Sequence, residues 1–200
     1  MKITNVHRTL AFNPDTKREE NDFYATDPIA IDTLLGGGVK LKEPVWECAC
    51  GKGHLAQRLK DLGYEVKATD LIDRGYGETG IDFLKTTDKW NGDIITNPPF
   101  NLAQEFVEHA LDIIDTRCRV YMFLKVLWLE GKARRELYDM QQLKTVYVYS
   151  GRVCCDRDCD FTKGSAVAYA WYEFEKDWND KPTIKWIDNE VKEGEQQTLF

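Results

Sequence analysis

The apolar run Asp93-Ile94-Ile95-Thr96 has to stop being a strand at residue 97, because Asn97-Pro98-Pro99-Phe100 follows it directly. Neither proline offers an amide N–H to a sheet ladder. Pro99 also forces Pro98 into an extended conformation, which fixes the direction of the Pro98 carbonyl. A polar amide, a fixed carbonyl and an aromatic ring therefore gather at the carboxyl end of a strand. In open α/β sheets that end is where ligands bind. A rigid strand-to-helix turn is the plainer reading of the two prolines alone.

The rest of the chain agrees with an α/β architecture. Apolar runs at Pro44–Cys48, Tyr64–Thr69, Gly80–Phe83, Arg119–Leu124, Thr145–Tyr149 and Ala166–Phe174 read as strands. Between them, Gly53–Leu62, Leu102–Asp115 and Glu130–Met140 carry helical spacing. Asp27-Pro28 reads as a helix cap, and Gly36-Gly37-Gly38 ends that helix. Strand–helix alternation predicts a mainly parallel, seven-stranded sheet covered on both faces. The last two strands have no helix between them and are expected to pair antiparallel. Residues 1–22 are polar and aperiodic and read as a flexible arm, 23–178 as the folded domain, and 179–200 as a tail.

Bulk properties narrow the setting. The chain has 200 residues, 42% of them hydrophobic, which suffices for one core. No stretch approaches the roughly 20 apolar residues that span a bilayer, and the first residues lack a signal peptide's apolar core. A cytoplasmic protein with six reduced cysteines is expected. A net charge of -7 disfavours a large phosphate-binding surface. A local one remains open, since Lys125, Lys132, Arg134, Arg135, Arg152, Arg157 and Lys163 all fall in the second half.

Asn97–Phe100 resembles motif IV of the amino-methyltransferases, which move a methyl group from S-adenosylmethionine to a planar nitrogen. That resemblance implies that the Asn97 side-chain oxygen and the Pro98 carbonyl each accept one N–H of the target amine, with Pro99 holding the turn. Phe100 would then stack on the base. Further motifs join it. Glu47-Cys48-Ala49-Cys50-Gly51-Lys52-Gly53, a strand entering a glycine turn and a helix, resembles motif I of the class I methyltransferases. Asp70, at the next strand's end, is placed to accept ribose hydroxyls. Asp82-Phe83 resembles the motif III pair at the donor's adenine. Phe23-Tyr24-Ala25-Thr26-Asp27-Pro28 resembles motif X, which covers the methionine moiety. The order X, I, IV is similar to the gamma group of DNA adenine-N6 methyltransferases of the small phage or mobile-element type. The resemblance implies a Rossmann-like class I fold and S-adenosylmethionine as cofactor, with donor contacts from Tyr24, Thr26, Glu47, Cys48, Gly51, Gly53, Asp70, Asp82, Phe83 and Asn97. It also implies adenine in DNA as acceptor. RNA bases and protein glutamines, or a non-catalytic donor- or clamp-binding role, are the alternatives.

Other residues carry weaker signals. Lys125 and Arg152 are candidate substrate contacts, with a surface ion pair the alternative for Arg152. Phe161, in the polar loop Gly151–Gly164, either closes the second face of the target base or anchors the loop. Cys154, Cys155 and Cys159 lack the C-x2-C spacing of a zinc site, and no metal is expected. The terminal Gln196-Gln197-Thr198-Leu199-Phe200 resembles a sliding-clamp-binding peptide, whose two apolar anchors would enter a groove. An ordinary frayed terminus is the alternative.

Overall fold

The computed structural model describes residues 23–131, 142–156, 158–162 and 165–189. Its centre is an eight-stranded sheet. In chain order, β1 is Ala25–Thr26, β2 Val45–Glu47, β3 Val66–Asp70, β4 Glu78–Thr79, β5 Ile94–Thr96 and β6 Arg119–Lys125. β7 is Leu143–Tyr149, β8 Cys155–Asp156, β9 Tyr169–Glu175 and β10 Thr183–Ile187. The sheet order is β10-β7-β9-β6-β5-β2-β3-β4, and β1 pairs with β8 in a separate two-stranded ribbon. Within the eight-stranded sheet only β9 runs against its neighbours, being antiparallel to both β6 and β7 while the other pairs there are parallel; the β1–β8 pair is antiparallel.

Alternation along the central strands explains the two-sided core. Val120, Met122 and Leu124 of β6 face one cluster, together with Phe106, Val107 and Leu111 of α3 (Ala103–Ile113). Tyr121 and Phe123 face the other, with Ile31 and Leu34 of α1 (Ile29–Gly36) and Leu55 and Leu59 of α2 (His54–Asp61). A period of two in the strands and 3.6 in the helices produces this sandwich. The Asp27 cap is present, its Oδ1 accepting the Ile29 N–H at 3.0 Å.

Three features depart from the sequence reading. The expected strand at Gly80–Phe83 is instead β4 at 78–79, because Gly80 takes φ +77° and breaks the extension; residues 83–85 form a 3-10 turn. The segment assigned to a tail at 179–200 supplies an eighth strand, β10, whose residues 183–187 pair with 145–149 of β7. Four of its five residues are exposed, so it lacks the apolar alternation that marks a strand in sequence. The β1–β8 ribbon joins segments about 130 residues apart, which no local pattern signals. The arm at 1–22, nearly all of the expected Glu130–Met140 helix, and the terminal Gln196–Phe200 peptide lie outside the described residues. Among the described residues no helix is long and apolar enough to cross a membrane.

Candidate active site

Beyond β2 the chain turns through Cys48–Gly53 into α2. Gly51 takes φ +55° and Gly53 φ +83°, a region costly for any residue with a Cβ. A Cβ on Gly51 would also overlap the Phe23 ring, and one on Gly53 the Tyr76 ring. The turn is tied to the end of β3 by Asp70, whose two oxygens accept the N–H groups of Gly51 and Ile72, each at 2.8 Å. Asp70 thus braces the turn while lining the cleft in front of it.

That cleft encloses about 1030 Å³, open mouth included. Tyr24, Thr26, Glu47, Cys48, Asp70, Asp82, Phe83, Asn97, Pro98 and Pro99, all singled out from sequence, line it together. Leu71, Ile72 and Ile81 supply apolar wall, and His54 and Arg74 a polar rim. Glu47 is 2% exposed and accepts a 2.6 Å bond from the Thr96 hydroxyl. Burial pushes its pKa up from 4.5 to about 8 in spite of that bond. The Cys48 thiol is likewise pushed well up by burial, and Cys50 up to about 12, which disfavours the thiolate form of both. Asp82 pairs with Lys85 at 2.7 Å. Phe83 is 2% exposed and packs on Trp46, Phe106 and His109, so most of its ring belongs to the core.

Asn97 is held from three sides. Its Nδ2 donates to the Tyr24 carbonyl and to Thr26 Oγ1, both at 2.9 Å, and lies 3.5 Å from Cys155 Sγ. A carbonyl can only accept, so the amide orientation is fixed. Its Oδ1 is buried and has no hydrogen-bond partner among the described residues. Such an atom is costly unless something arrives to donate to it. The β1–β8 ribbon is what brings Thr26 and Cys155 to Asn97, since these two are register partners.

Other predicted residues stand elsewhere. Phe100 does not present a bare face: Tyr24 lies 5.6 Å away on a tilted plane, Tyr169 stacks at 5.9 Å, and Lys125 Nζ sits 4.6 Å from its centroid. Phe100 lines neither cavity, whereas Tyr24 lines both the cleft and a second cavity that Tyr169 also lines. Phe161 packs edge-on against His54 at 5.2 Å, on the glycine-turn side. Arg152 is exposed and lines neither cavity. Lys132, Arg134, Arg135, Arg157 and Lys163 lie outside the described residues. Among the described residues no three His, Cys, Asp or Glu side chains gather as metal ligands would. Arg74, over the Phe23 ring at 4.4 Å, was not found by sequence, and Cys155 was weighed there only as a zinc ligand.

The cleft sets acidic side chains against an apolar wall. Glu47, Asp70 and Asp82 supply acceptors, and Ile72, Ile81 and Phe83 supply the apolar wall. The glycine turn gives close backbone approach at the α2 N-terminus.

No protein-family model matches the sequence, and no curated protein matches it. Solved structures do match in shape. A protein of Listeria monocytogenes, described provisionally as a class I S-adenosylmethionine-dependent methyltransferase, superposes with a TM-score of 0.56 at 13% identity, over 86% of this chain and 68% of that one. A Pyrococcus horikoshii protein, provisionally an RNA methyltransferase, gives 0.53 at 17% identity, over 74% and 81%. A modification subunit of a provisional type I restriction enzyme from Vibrio vulnificus gives 0.52 at 14%, over 86% of this chain and 48% of that chain, about half its length. With a glycine turn after β2, an acidic strand end at Asp70 and the single reversed strand β9, the chain has the Rossmann-like fold of the class I methyltransferases.

Proposed function

We propose that this protein is an S-adenosylmethionine-dependent methyltransferase acting on the exocyclic N6 amine of adenine in DNA. The observation that carries the reading is Asn97: its amide nitrogen is pinned, its oxygen is buried with no partner among the described residues, and it shares the cleft with Pro98. The exocyclic amine of adenine is a weak nucleophile because its lone pair is delocalised into the ring. Two fixed acceptors, Asn97 Oδ1 and the Pro98 carbonyl, take its two N–H groups and set the direction of the lone pair. Orientation and local electrostatics do this without a strong base. Bound S-adenosylmethionine supplies the electrophilic methyl carbon. Glu47, Asp70 and Asp82 would hold the donor with their carboxyl groups, and Gly51 and Gly53 would permit its close approach to the backbone.

Tritiated methyl groups should pass from S-adenosylmethionine to adenine-containing DNA, and Asn97→Ala should stop the transfer while donor binding persists. The fold likeness to the Pyrococcus protein favours RNA as the second reading. Label entering RNA and not DNA would select it, and label entering neither would end both.

A further inference from the structure

The turn after β6 shows apolar surface in an unusual place. Residues Val126–Leu129 form one 3-10 turn directly after Lys125. Trp128 is buried and packs edge-on against Tyr172 at 5.3 Å and Phe174 at 6.1 Å. The Val126 N–H donates to the Ala168 carbonyl at 2.9 Å, and the Tyr172 hydroxyl reaches the carbonyls of Lys125 and Val126 at 3.0 and 3.3 Å. The turn is therefore braced from below, yet Leu127 is 67% exposed and Leu129 38%. A flexible turn would fold such side chains away, since burial of apolar surface is favourable. A braced one displays them.

What lies beside the turn gives it a use. Lys125 lines a second cavity, of about 690 Å³ with its mouth, whose walls include Tyr24, Tyr169, Asp156, Ser165 and Val167. Only Val126 separates Lys125 from Leu127, so their Cα atoms are at most about 7.6 Å apart. Tyr24 also lines the donor cleft, and Cys155, in the cavity wall, is 3.5 Å from Asn97 Nδ2. Asp156 Oδ1 is buried without a partner among the described residues. A chamber with two aromatic walls, a cation and an unsatisfied acceptor is suited to a flat, polar-edged ring. A base taken from a duplex leaves a gap in the stack, and apolar side chains fill such gaps.

We infer that Leu127 is a wedge that enters the duplex and occupies the gap left by the target nucleotide, while its base moves into the cavity between Tyr24 and Tyr169. The inference rests on the DNA methyl-transfer reading above. A protein partner fits less well, because two leucines on one turn fall far short of the roughly 1,000 Å² of a stable protein interface. Lys125, at the base of the turn, offers the charge a phosphate backbone attracts.

The test uses the full chain, tritiated S-adenosylmethionine, and one adenine-rich DNA presented as duplex and as separated strands. Leu127→Ala should lower the ratio of duplex to single-strand methylation by about tenfold or more, as expected when the unstacking of a base loses its compensation. Leu127→Phe should restore the ratio. Adjacent 2-aminopurine should brighten on binding wild type and less so with Leu127→Ala. An unchanged ratio, an equal loss on both forms, or wild-type transfer to single strands alone would overturn the wedge and leave methyl transfer standing. Leu127→Ala shifting the molecular mass in solution with the ratio unchanged would reassign the turn to contact between copies. Absence of transfer to either form would remove the DNA reading itself, and the wedge with it.

Discussion

The two halves of the cleft are built in opposite ways. The half proposed to hold the donor is local: the glycine turn, its preceding Glu47 and the bracing Asp70 all fall within 24 residues, on two neighbouring parallel strands. The acceptor half is assembled from afar. Asn97 takes its orientation from Tyr24 and Thr26, 73 and 71 positions upstream, and touches Cys155, 58 positions downstream. The donor half can therefore tolerate change elsewhere in the fold. The acceptor half depends on a two-residue ribbon holding two loops together.

The comparison breaks most sharply at Asn97. Asn97→Ala should lower turnover by about a hundredfold to a thousandfold, the usual loss for a fixed transition-state partner. The donor dissociation constant, from calorimetry, should change little. An equal loss in donor affinity would mean that the halves are not separable.

Glu47 tests the donor half through stability. Its carboxyl titrates near 4.5 when unfolded and about 8 when folded. Between those values the native state holds a proton that the unfolded chain has released, so stability falls as pH rises through the window. Glu47→Gln removes this dependence. It should be near neutral at pH 4.5 and stabilising at pH 8, by on the order of a few kcal/mol. Denaturant unfolding at the two pH values measures it, and a gain that does not grow with pH would contradict the buried, protonated acid.

Gly51→Ala should weaken donor binding by at least about tenfold, from a left-handed backbone cost of about 1–2 kcal/mol plus overlap with Phe23. Turnover at saturating donor should hold. Thr26→Val removes one of the two acceptors that pin the Asn97 amide. It should lower turnover by about threefold to tenfold, the worth of one net hydrogen bond, without changing donor affinity. Arg152→Ala, at an exposed position, should be the mildest. A phosphate contact there would reduce the salt slope of DNA binding by about one, and an unchanged slope would leave Arg152 a surface charge.

The same local-versus-distant contrast governs what could be read from the chain. Asn97–Phe100 ended a strand because proline has no N–H, and the structure ends β5 at Thr96. Gly51, Gly53 and Asp70 came out together because a turn between adjacent βα units is a short-range motif. Arg119–Leu124 and Ala166–Phe174 read as strands because they are apolar runs, and Tyr121, Phe123 and Trp171 within them are wholly buried. Phe100 was harder. Its neighbours Tyr24 and Tyr169 arrive from separate segments, so a ring that looks like an open platform in sequence is half covered in space. Phe161 meets His54 for the same reason, through a loop whose path is set by where β8 pairs.

The sequence by itself determined the alternating strands and helices, the glycine turn and the strand end at Asn97. Each of these follows from periodicity or from backbone chemistry within a few residues. Tertiary structure alone decided that β10 joins the sheet edge, that β1 pairs with β8, and that the Asn97 oxygen is left without a partner among the described residues. Those outcomes depend on hydrogen bonds between segments distant in the chain, and the exposed side chains of β10 carry no trace of them.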